Sequence, residues 1–257
     1  MYYQLKSYLN FLLHSSNEHG VHSPFVYTLM TKCFYNKSSH VDYQLLNTHR
    51  KALLSDTSEI AITDFGAGSR VFKSPIRKVS GIAKHAGITR KRQQLLFRLA
   101  AYFKPETILE LGTSLGMGSI ALALGAPTSK VITVEGCEAT SVKAQQYFDE
   151  FCIKNIQRTT ATFESFFAEN LKETYNLVYI DGNHNKKATL SYFEALLSHV
   201  TNDTVLIFDD IYWSREMTEA WLEIIANPKV TVSIDTFQWG FVFFRREQPK
   251  QHFVIRT

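Results

Sequence analysis

The chain has 257 residues, 45% of them hydrophobic, and a formal net charge of +4. This is enough for one large α/β domain, or for such a domain with an appendage. The uncharged stretch 111–129 contains four glycines and a proline, which argues against a membrane span. Three cysteines have no metal-type spacing or disulfide framework, and no cleavable signal is evident. We therefore expect a protein of the reducing cytoplasm.

The basic residues are distributed unevenly. Between residues 65 and 104 there are ten Lys and Arg and no Asp or Glu. Such a segment predicts an anionic partner, which could be an acidic substrate, a phosphate group, a lipid headgroup or a nucleic acid. A solvated helical face explains it equally well. The basic residues are Arg70, Lys73, Arg77, Lys78, Lys84, Arg90, Lys91, Arg92, Arg98 and Lys104.

The first 92 residues are predicted to form an N-terminal helical and lid region. Residues 1–54 have helical, aromatic-rich patterns, and Ser23 followed by Pro24 predicts the start of a helix. The segment 59–69, EIAITDFGAGS, has glycines, but no periodic helix follows and no acidic residue appears about 20 positions later. We interpret it as a loop that forms a lid with the basic segment. The aromatic-rich N-terminus predicts packing against a second copy in a homodimer.

The second region, 93–257, begins with a helical pattern over 93–103 and then contains residues 108–123, ILELGTSLGMGSIALA. This stretch predicts a buried strand, a turn with Gly112, Gly116 and Gly118, and an apolar helix. Glycine lets the backbone turn sharply and approach a ligand closely. The helix N-terminus that follows offers free N–H groups. The stretch thus predicts a nucleotide or nucleoside crevice at the end of a first strand.

Strands and helices then alternate, which predicts a mostly parallel sheet. Two final strand patterns are joined by so short a link that only an antiparallel hairpin can connect them. The predicted strands are 107–111, 130–135, 157–162, 175–181 and 204–210, followed by the hairpin strands 230–237 and 239–246. Four helices are predicted between these strands. They are 117–124, a helix that ends at about residue 152, 187–199, and a helix that begins at 214 and ends before Pro228.

Residues 95–246 resemble class I S-adenosylmethionine-dependent methyltransferases. The resemblance depends on the order of these elements and on Glu110-Leu-Gly112 through Gly118, which is similar to the family's E-x-G-x-x-x-G motif. It implies an α/β, Rossmann-like, seven-stranded methyltransferase sheet with an antiparallel C-terminal hairpin. The closest similarity is to metal-dependent O-methyltransferases of small molecules. An NAD-dependent Rossmann oxidoreductase and a non-catalytic cofactor-binding protein are the alternatives.

The resemblance also implies a site for S-adenosylmethionine. Glu135, at the end of the second strand, would accept both ribose hydroxyls. Phe163 would cover the adenine, although an ordinary buried aromatic explains it as well. Ser119 lies one position beyond the serine of relatives that modify catechols. The implied cofactor-binding residues are Glu110, Gly112, Thr113, Ser114, Gly116, Gly118, Glu135, Gly136, Phe163 and Asp181.

Three carboxylates end two later strands, because Asp181 follows VYI and Asp209 and Asp210 follow LIF. Clustered carboxylates repel each other unless a cation joins them, which predicts Mg²⁺ or another divalent ion held by Asp181, Asp209 and Asp210. The ion would orient a substrate hydroxyl and favour its deprotonation. The alternative is that Asp181 binds the cofactor amine and the Asp pair caps the next helix.

His184 is the predicted general base, with Asp181 beside it as a catalytic residue. Asn183 stands where sugar-modifying relatives have an acid, and an amide cannot take a proton. A loop histidine with only local hydrogen bonds is the alternative. The chain has no Pro-Pro pair, which disfavours a nucleic-acid amino-methyltransferase. The sequence therefore predicts O-methylation of a small acceptor, with an anionic acceptor as the form that the basic segment would suit, and it disfavours nucleic acid as a partner.

Overall fold

The computed structural model describes residues 2–63, 74–169 and 173–257, which contain ten α-helices and ten strands. The helices are α1 (Tyr2–His14), α2 (Pro24–Leu29), α3 (Asp42–Ser55), α4 (Val79–His85), α5 (Arg90–Phe103), α6 (Met117–Gly125), α7 (Glu138–Glu150), α8 (Phe163–Glu169), α9 (Lys186–Leu196) and α10 (Arg215–Ala226). The strands are β1 (Glu59–Ala61), β2 (Ile76–Lys78), β3 (Thr107–Leu111), β4 (Lys130–Glu135), β5 (Ile156–Thr160), β6 (Leu177–Ile180), β7 (Val205–Asp209), β8 (Val232–Asp235), β9 (Trp239–Phe243) and β10 (Gln251–Val254).

The main sheet has eight strands, in the order β10-β8-β9-β7-β6-β3-β4-β5. The chain divides into two compact units. The terminal unit comprises Met1–Asn36 and Leu171–Thr257, and the central unit comprises Lys37–Asn170. The predicted division into an N-terminal region, 1–92, and a second region, 93–257, was made from sequence patterns and stays a prediction.

In the central unit, β3, β4 and β5 are parallel neighbours, with Thr107 paired to Lys130 and Val131 to Ile156. The apolar side chains of β3 and β4 are buried because helices cover the sheet. Helix α5 begins at the cap of Thr89, whose hydroxyl accepts the backbone N–H of Arg92. The predicted strand, turn and helix over 108–123 are confirmed.

In the terminal unit, β6 and β7 are parallel, whereas β9 runs antiparallel to both β7 and β8. The short link over 236–238 makes β8 and β9 antiparallel, and β9 lies between β8 and β7 in the sheet. Sequence analysis predicted seven strands, but β10 adds an eighth by pairing parallel to β8. Its residues are only partly buried, so their pattern carries no strong strand signal.

The region between α3 and α5 is more regular than a loop. Glu59–Ala61, predicted as part of the loop, forms β1 and pairs antiparallel with β2, and α4 follows directly. The glycines of DFGAGS, together with Arg70 and Lys73, lie outside the described residues. Within the described ranges, no helix has the length and apolar character needed to span a membrane.

Candidate functional site

The glycine turn of the central unit connects β3 to α6. Gly112 and Gly116 have φ angles of 106° and 78°, and Ser114 between them has a φ of 46°. These left-handed conformations cost little for glycine and more for other residues. A Cβ on Gly116 would lie 2.4 Å from the ring of Phe148, so a larger residue there has no room. Gly116 is therefore required both by its left-handed backbone and by the lack of space for a side chain.

Glu110 lies beneath the turn rather than on its surface. Its side chain is buried, and its Oε2 accepts hydrogen bonds from the hydroxyls of Ser119 and Thr133, the latter at 2.6 Å. A Cβ on Gly118 would lie 2.3 Å from Glu110 Oε1. The hydroxyl of Thr113 lies 2.6 Å from that of Thr133. These contacts join strand, turn and helix, and they show that Glu110, Ser119 and Thr113 direct their polar atoms inward.

Burial of Glu110 raises its pKa to about 7, against the opposing effect of the two hydroxyl donors. The folded state therefore binds a proton that the unfolded state has released, between the ordinary pKa of 4.5 and about 7. This stabilisation is complete below the unfolded pKa and is lost as the pH rises through the folded pKa. We expect the unfolding free energy of the wild type to fall by about 3 kcal/mol more than that of Glu110→Gln between pH 4.5 and pH 8.

Urea denaturation of both proteins at several pH values checks this expectation. The glutamine variant keeps the shape of the side chain but does not titrate, so the difference between the two curves isolates Glu110 from histidines and other groups. Parallel curves for the two proteins would contradict it.

Glu135 ends β4 beside the turn. Its Oε2 accepts the backbone N–H of Ser114 at 2.9 Å, and its Oε1 accepts that of Cys137 at 3.0 Å. A carboxylate offers about four acceptor positions, and these two bonds hold the Glu135 carboxylate beside the turn. Glu135, Gly112, Ser114 and Gly136 are only partly buried. The turn and this carboxylate thus lie side by side at the ends of β3 and β4, and the predicted ribose contact of Glu135 stays a prediction.

Phe163 is the first residue of α8 and is half-buried, whereas Phe166 in the same helix is 2% exposed. The hydroxyl of Thr162 accepts the backbone N–H of Ser165 at 3.2 Å and so caps this helix. The exposure of Phe163 is compatible with the predicted adenine contact, which stays a prediction.

The terminal unit brings two of the predicted aspartates together through a residue that sequence analysis missed. The hydroxyl of Tyr179 lies 3.0 Å from Asp181 Oδ2 and 3.3 Å from Asp209 Oδ2. Tyr179 lies on β6 and Asp181 directly follows that strand, and residues two apart in extended backbone lie on the same face. That periodicity was the available signal, because VYID places the tyrosine and the aspartate on the same side.

The residues present do not fit the predicted metal centre. A tyrosine hydroxyl lies between Asp181 and Asp209, and Asp209 Oδ1 accepts the backbone N–H of Asp210 at 2.8 Å. Among residues 2–63, 74–169 and 173–257, no group of three or more His, Cys, Asp or Glu side chains is arranged to hold a metal ion. The alternative helix-capping role is also not observed, because Ser214 caps α10 through the N–H of Met217.

His184 lies beside Asp181, with 3.8 Å between its Nε2 and Asp181 Oδ1. Each of these side chains is about one quarter exposed, at 23% and 24%. The ring of His184 also lies 5.8 Å from that of Trp213, a second residue that sequence analysis missed. The structure thus brings a histidine, a carboxylate and an aromatic face together at the ends of β6 and β7.

Residues 109–211 match the family described as "Methyltransferase domain". The match begins in β3, includes the glycine turn and Glu135, and ends just after Asp209 and Asp210. Over this stretch the chain is similar to methyltransferase domains, and the resemblance to class I methyltransferases is confirmed. The inserted hairpin agrees with that class and not with the dinucleotide-binding fold of the NAD-dependent alternative.

Three solved structures have a similar fold. The Podospora anserina methyltransferase PaMTH1, bound to S-adenosylhomocysteine, is 13% identical with a TM-score of 0.62, covering 88% of this chain and 97% of that one. The O-methyltransferase TomG from Streptomyces achromogenes, involved in tomaymycin synthesis and bound to S-adenosylmethionine, is 18% identical with a TM-score of 0.54, covering 63% and 82%. The Bacillus cereus O-methyltransferase bound to S-adenosylhomocysteine is 16% identical with a TM-score of 0.54, covering 84% and 94%. At these identities the similarity establishes the fold.

Proposed function

We propose that the protein is an S-adenosylmethionine-dependent methyltransferase that methylates an oxygen of a small, anionic acceptor. The main observation behind this proposal is the arrangement of the glycine turn and Glu135 at neighbouring strand ends of the central unit. The family match and the solved relatives with bound S-adenosylmethionine or S-adenosylhomocysteine support the choice of cofactor.

In this proposal the central unit binds the cofactor. Glu135 would accept the ribose hydroxyls, while the backbone of Gly112, Ser114 and Gly136 would lie against the ligand. S-adenosylmethionine, when bound, supplies a methyl group activated by its sulfonium charge. Because Glu110, Thr113 and Ser119 point inward, we assign them to supporting the turn, with backbone atoms of the turn making the cofactor contacts.

The terminal unit would prepare the acceptor. His184 would take the proton of the acceptor hydroxyl, which makes the oxygen a better nucleophile. Asp181 would orient the imidazole and stabilise its charged form, since its Oδ1 lies 3.8 Å from the ring nitrogen. Trp213 offers the histidine ring a flat contact surface. In this mechanism the protein aligns the acceptor oxygen with the methyl group and removes the proton of the acceptor hydroxyl.

Metal assistance through Asp181, Asp209 and Asp210 is the competing form of the reaction. It predicts that a chelator abolishes methyl transfer, whereas the histidine mechanism predicts that a chelator has no effect. The position of the Tyr179 hydroxyl favours the histidine mechanism.

The anionic acceptor is proposed from the basic residues at the start of α5. Arg90, Lys91 and Arg92 occupy the first turn of this helix, where the helix dipole disfavours positive charge. A bound anion would offset that cost.

The predicted homodimer is retained because four apolar residues of α1 are 56–82% exposed, namely Tyr2, Leu5, Leu9 and Leu13. The free cysteines agree with the predicted cytoplasmic location.

Calorimetry with S-adenosylhomocysteine tests the core of the proposal, with NADH as the competing ligand. We expect S-adenosylhomocysteine to bind and NADH not to bind, and the reverse result would refute the proposal. An assay of S-adenosylhomocysteine release then screens small hydroxylated carboxylic acids against their methyl esters, and acids should be preferred. Cofactor binding without turnover on any acceptor would favour the non-catalytic alternative.

A further inference from the structure

We infer that Tyr179 is a positioning residue of the acceptor site, where its hydroxyl occupies the place of a bridging divalent cation between Asp181 and Asp209. The role in the acceptor site rests on the proposed function, whereas the exclusion of a cation rests on the geometry of the terminal unit alone.

Tyr179 is held firmly in this position. Its side chain is 1% exposed, and its ring packs edge-on against Trp239 with 5.6 Å between the ring centroids. Its backbone belongs to β6, where it pairs with Ile207 of β7. The neighbouring strand β7 ends at Asp209. The phenol is thus fixed by packing and by the sheet, so its hydroxyl has little freedom to leave the two carboxylates.

The hydroxyl and a bridging cation compete for the same position. The phenol oxygen lies 3.0 Å from Asp181 Oδ2 and 3.3 Å from Asp209 Oδ2. A divalent ion bound by both oxygens would have to lie about 2.0–2.6 Å from each, in the space that the hydroxyl fills. One phenol O–H can donate to only one carboxylate at a time. Asp209 has a second donor, the N–H of Asp210 on its Oδ1, so each carboxylate has a polar partner without a metal.

A consequence follows for a variant that lacks the hydroxyl. Tyr179→Phe would keep the packing against Trp239 but leave the two carboxylates without their shared donor. Their mutual repulsion would then be relieved by a cation. The variant is therefore expected to gain a metal site that the wild type lacks.

Mn²⁺ titration followed by electron paramagnetic resonance tests this inference, because protein-bound Mn²⁺ loses most of its sharp solution signal. Five proteins are compared: the wild type, Tyr179→Phe, Tyr179→Phe combined with Asp209→Asn, Asp209→Asn alone, and Tyr175→Phe. Tyr175 is the matched control, since it is also 1% exposed and its hydroxyl has no hydrogen-bond partner in the part of the chain that the structure describes.

We expect Tyr179→Phe to bind one Mn²⁺ at least about tenfold more tightly than the wild type and Tyr175→Phe. The double variant should lose this gain, because Asp209 no longer supplies a carboxylate. Tight Mn²⁺ binding by the wild type that disappears in Asp209→Asn would overturn the inference, and this measurement needs no altered tyrosine. Failure of a folded Tyr179→Phe to gain Mn²⁺ would overturn it as well.

Calorimetry with S-adenosylhomocysteine on the same samples separates this inference from the proposed function. Unchanged S-adenosylhomocysteine binding in Tyr179→Phe, together with lower kcat that Mn²⁺ partly restores, supports the positioning role. If no sample binds S-adenosylhomocysteine, the proposed function and the acceptor-site role of Tyr179 both fail, while the Mn²⁺ result still decides whether Tyr179 excludes a cation.

Discussion

Replacing Glu135 by Gln should weaken the binding of S-adenosylhomocysteine by roughly 10- to 100-fold. The carboxylate is held at the end of β4 by its bonds to the N–H groups of Ser114 and Cys137, and in the proposed function it accepts the ribose hydroxyls as well. Hydrogen bonds to a charged group contribute about 1.5–3 kcal/mol each, and 1.4 kcal/mol corresponds to a factor of ten. The glutamine amide would also direct N–H donors at backbone N–H groups or at the ligand's hydroxyl protons.

A ligand that lacks one hydroxyl separates recognition of the ribose from support of the turn. The wild type should bind S-adenosylhomocysteine more tightly than its 2′-deoxy analogue, whereas Glu135→Gln should bind both with similar affinity, because the interaction energy belongs to that pair of groups. Glu138→Gln is the matched control, since this glutamate is exposed and lies three residues further on. If Glu135→Gln prefers S-adenosylhomocysteine over the 2′-deoxy analogue by the same factor as the wild type does, Glu135 does not contact the ribose.

The elements predicted most accurately are those whose signals are local. The run TILEL was predicted as a buried strand, and four of its five residues are buried in β3; Ser214, where the last helix was predicted to begin, caps α10. The tight link between β8 and β9 allows only an antiparallel connection. In each case the physical cause lies within about ten residues of the chain, so the sequence displays it directly.

The features that were missed depend on residues far apart in the chain. Strand β10 is defined by its pairing with β8, whose residues lie about 20 positions earlier, and not by its own pattern. The metal prediction counted Asp181 and Asp209 correctly as neighbours but overlooked the hydroxyl between them. Glu110 faces inward because Ser119 and Thr133 meet it from a helix and from another strand. Such side-chain partners follow from tertiary packing, which spacing alone does not specify.

Replacing His184 by Gln should lower kcat by roughly 100- to 10,000-fold, the usual contribution of a general base, while S-adenosylhomocysteine affinity stays unchanged. The local backbone supports a functional role, since Asn183 and His184 have φ angles of 65° and 25°. Such conformations cost of order 1–3 kcal/mol each and persist where the surroundings enforce them. Here Asn183 Nδ2 donates to the hydroxyl of Tyr192 at 2.8 Å, and Asn185 caps α9 through the N–H of Ala188.

A series of acceptors with increasingly acidic hydroxyl groups distinguishes a base from a residue that only shapes the loop. An acceptor that is already ionised needs no proton removal, so the deficit of His184→Gln should shrink steadily along the series. A purely structural histidine would give the same deficit for every acceptor. His19→Gln is the control, because its side chain is 83% exposed and it lies outside the acceptor residues. A constant deficit would show that His184 is not the base. Asp181, whose Oδ2 lies 3.0 Å from the Tyr179 hydroxyl, would then be the next candidate.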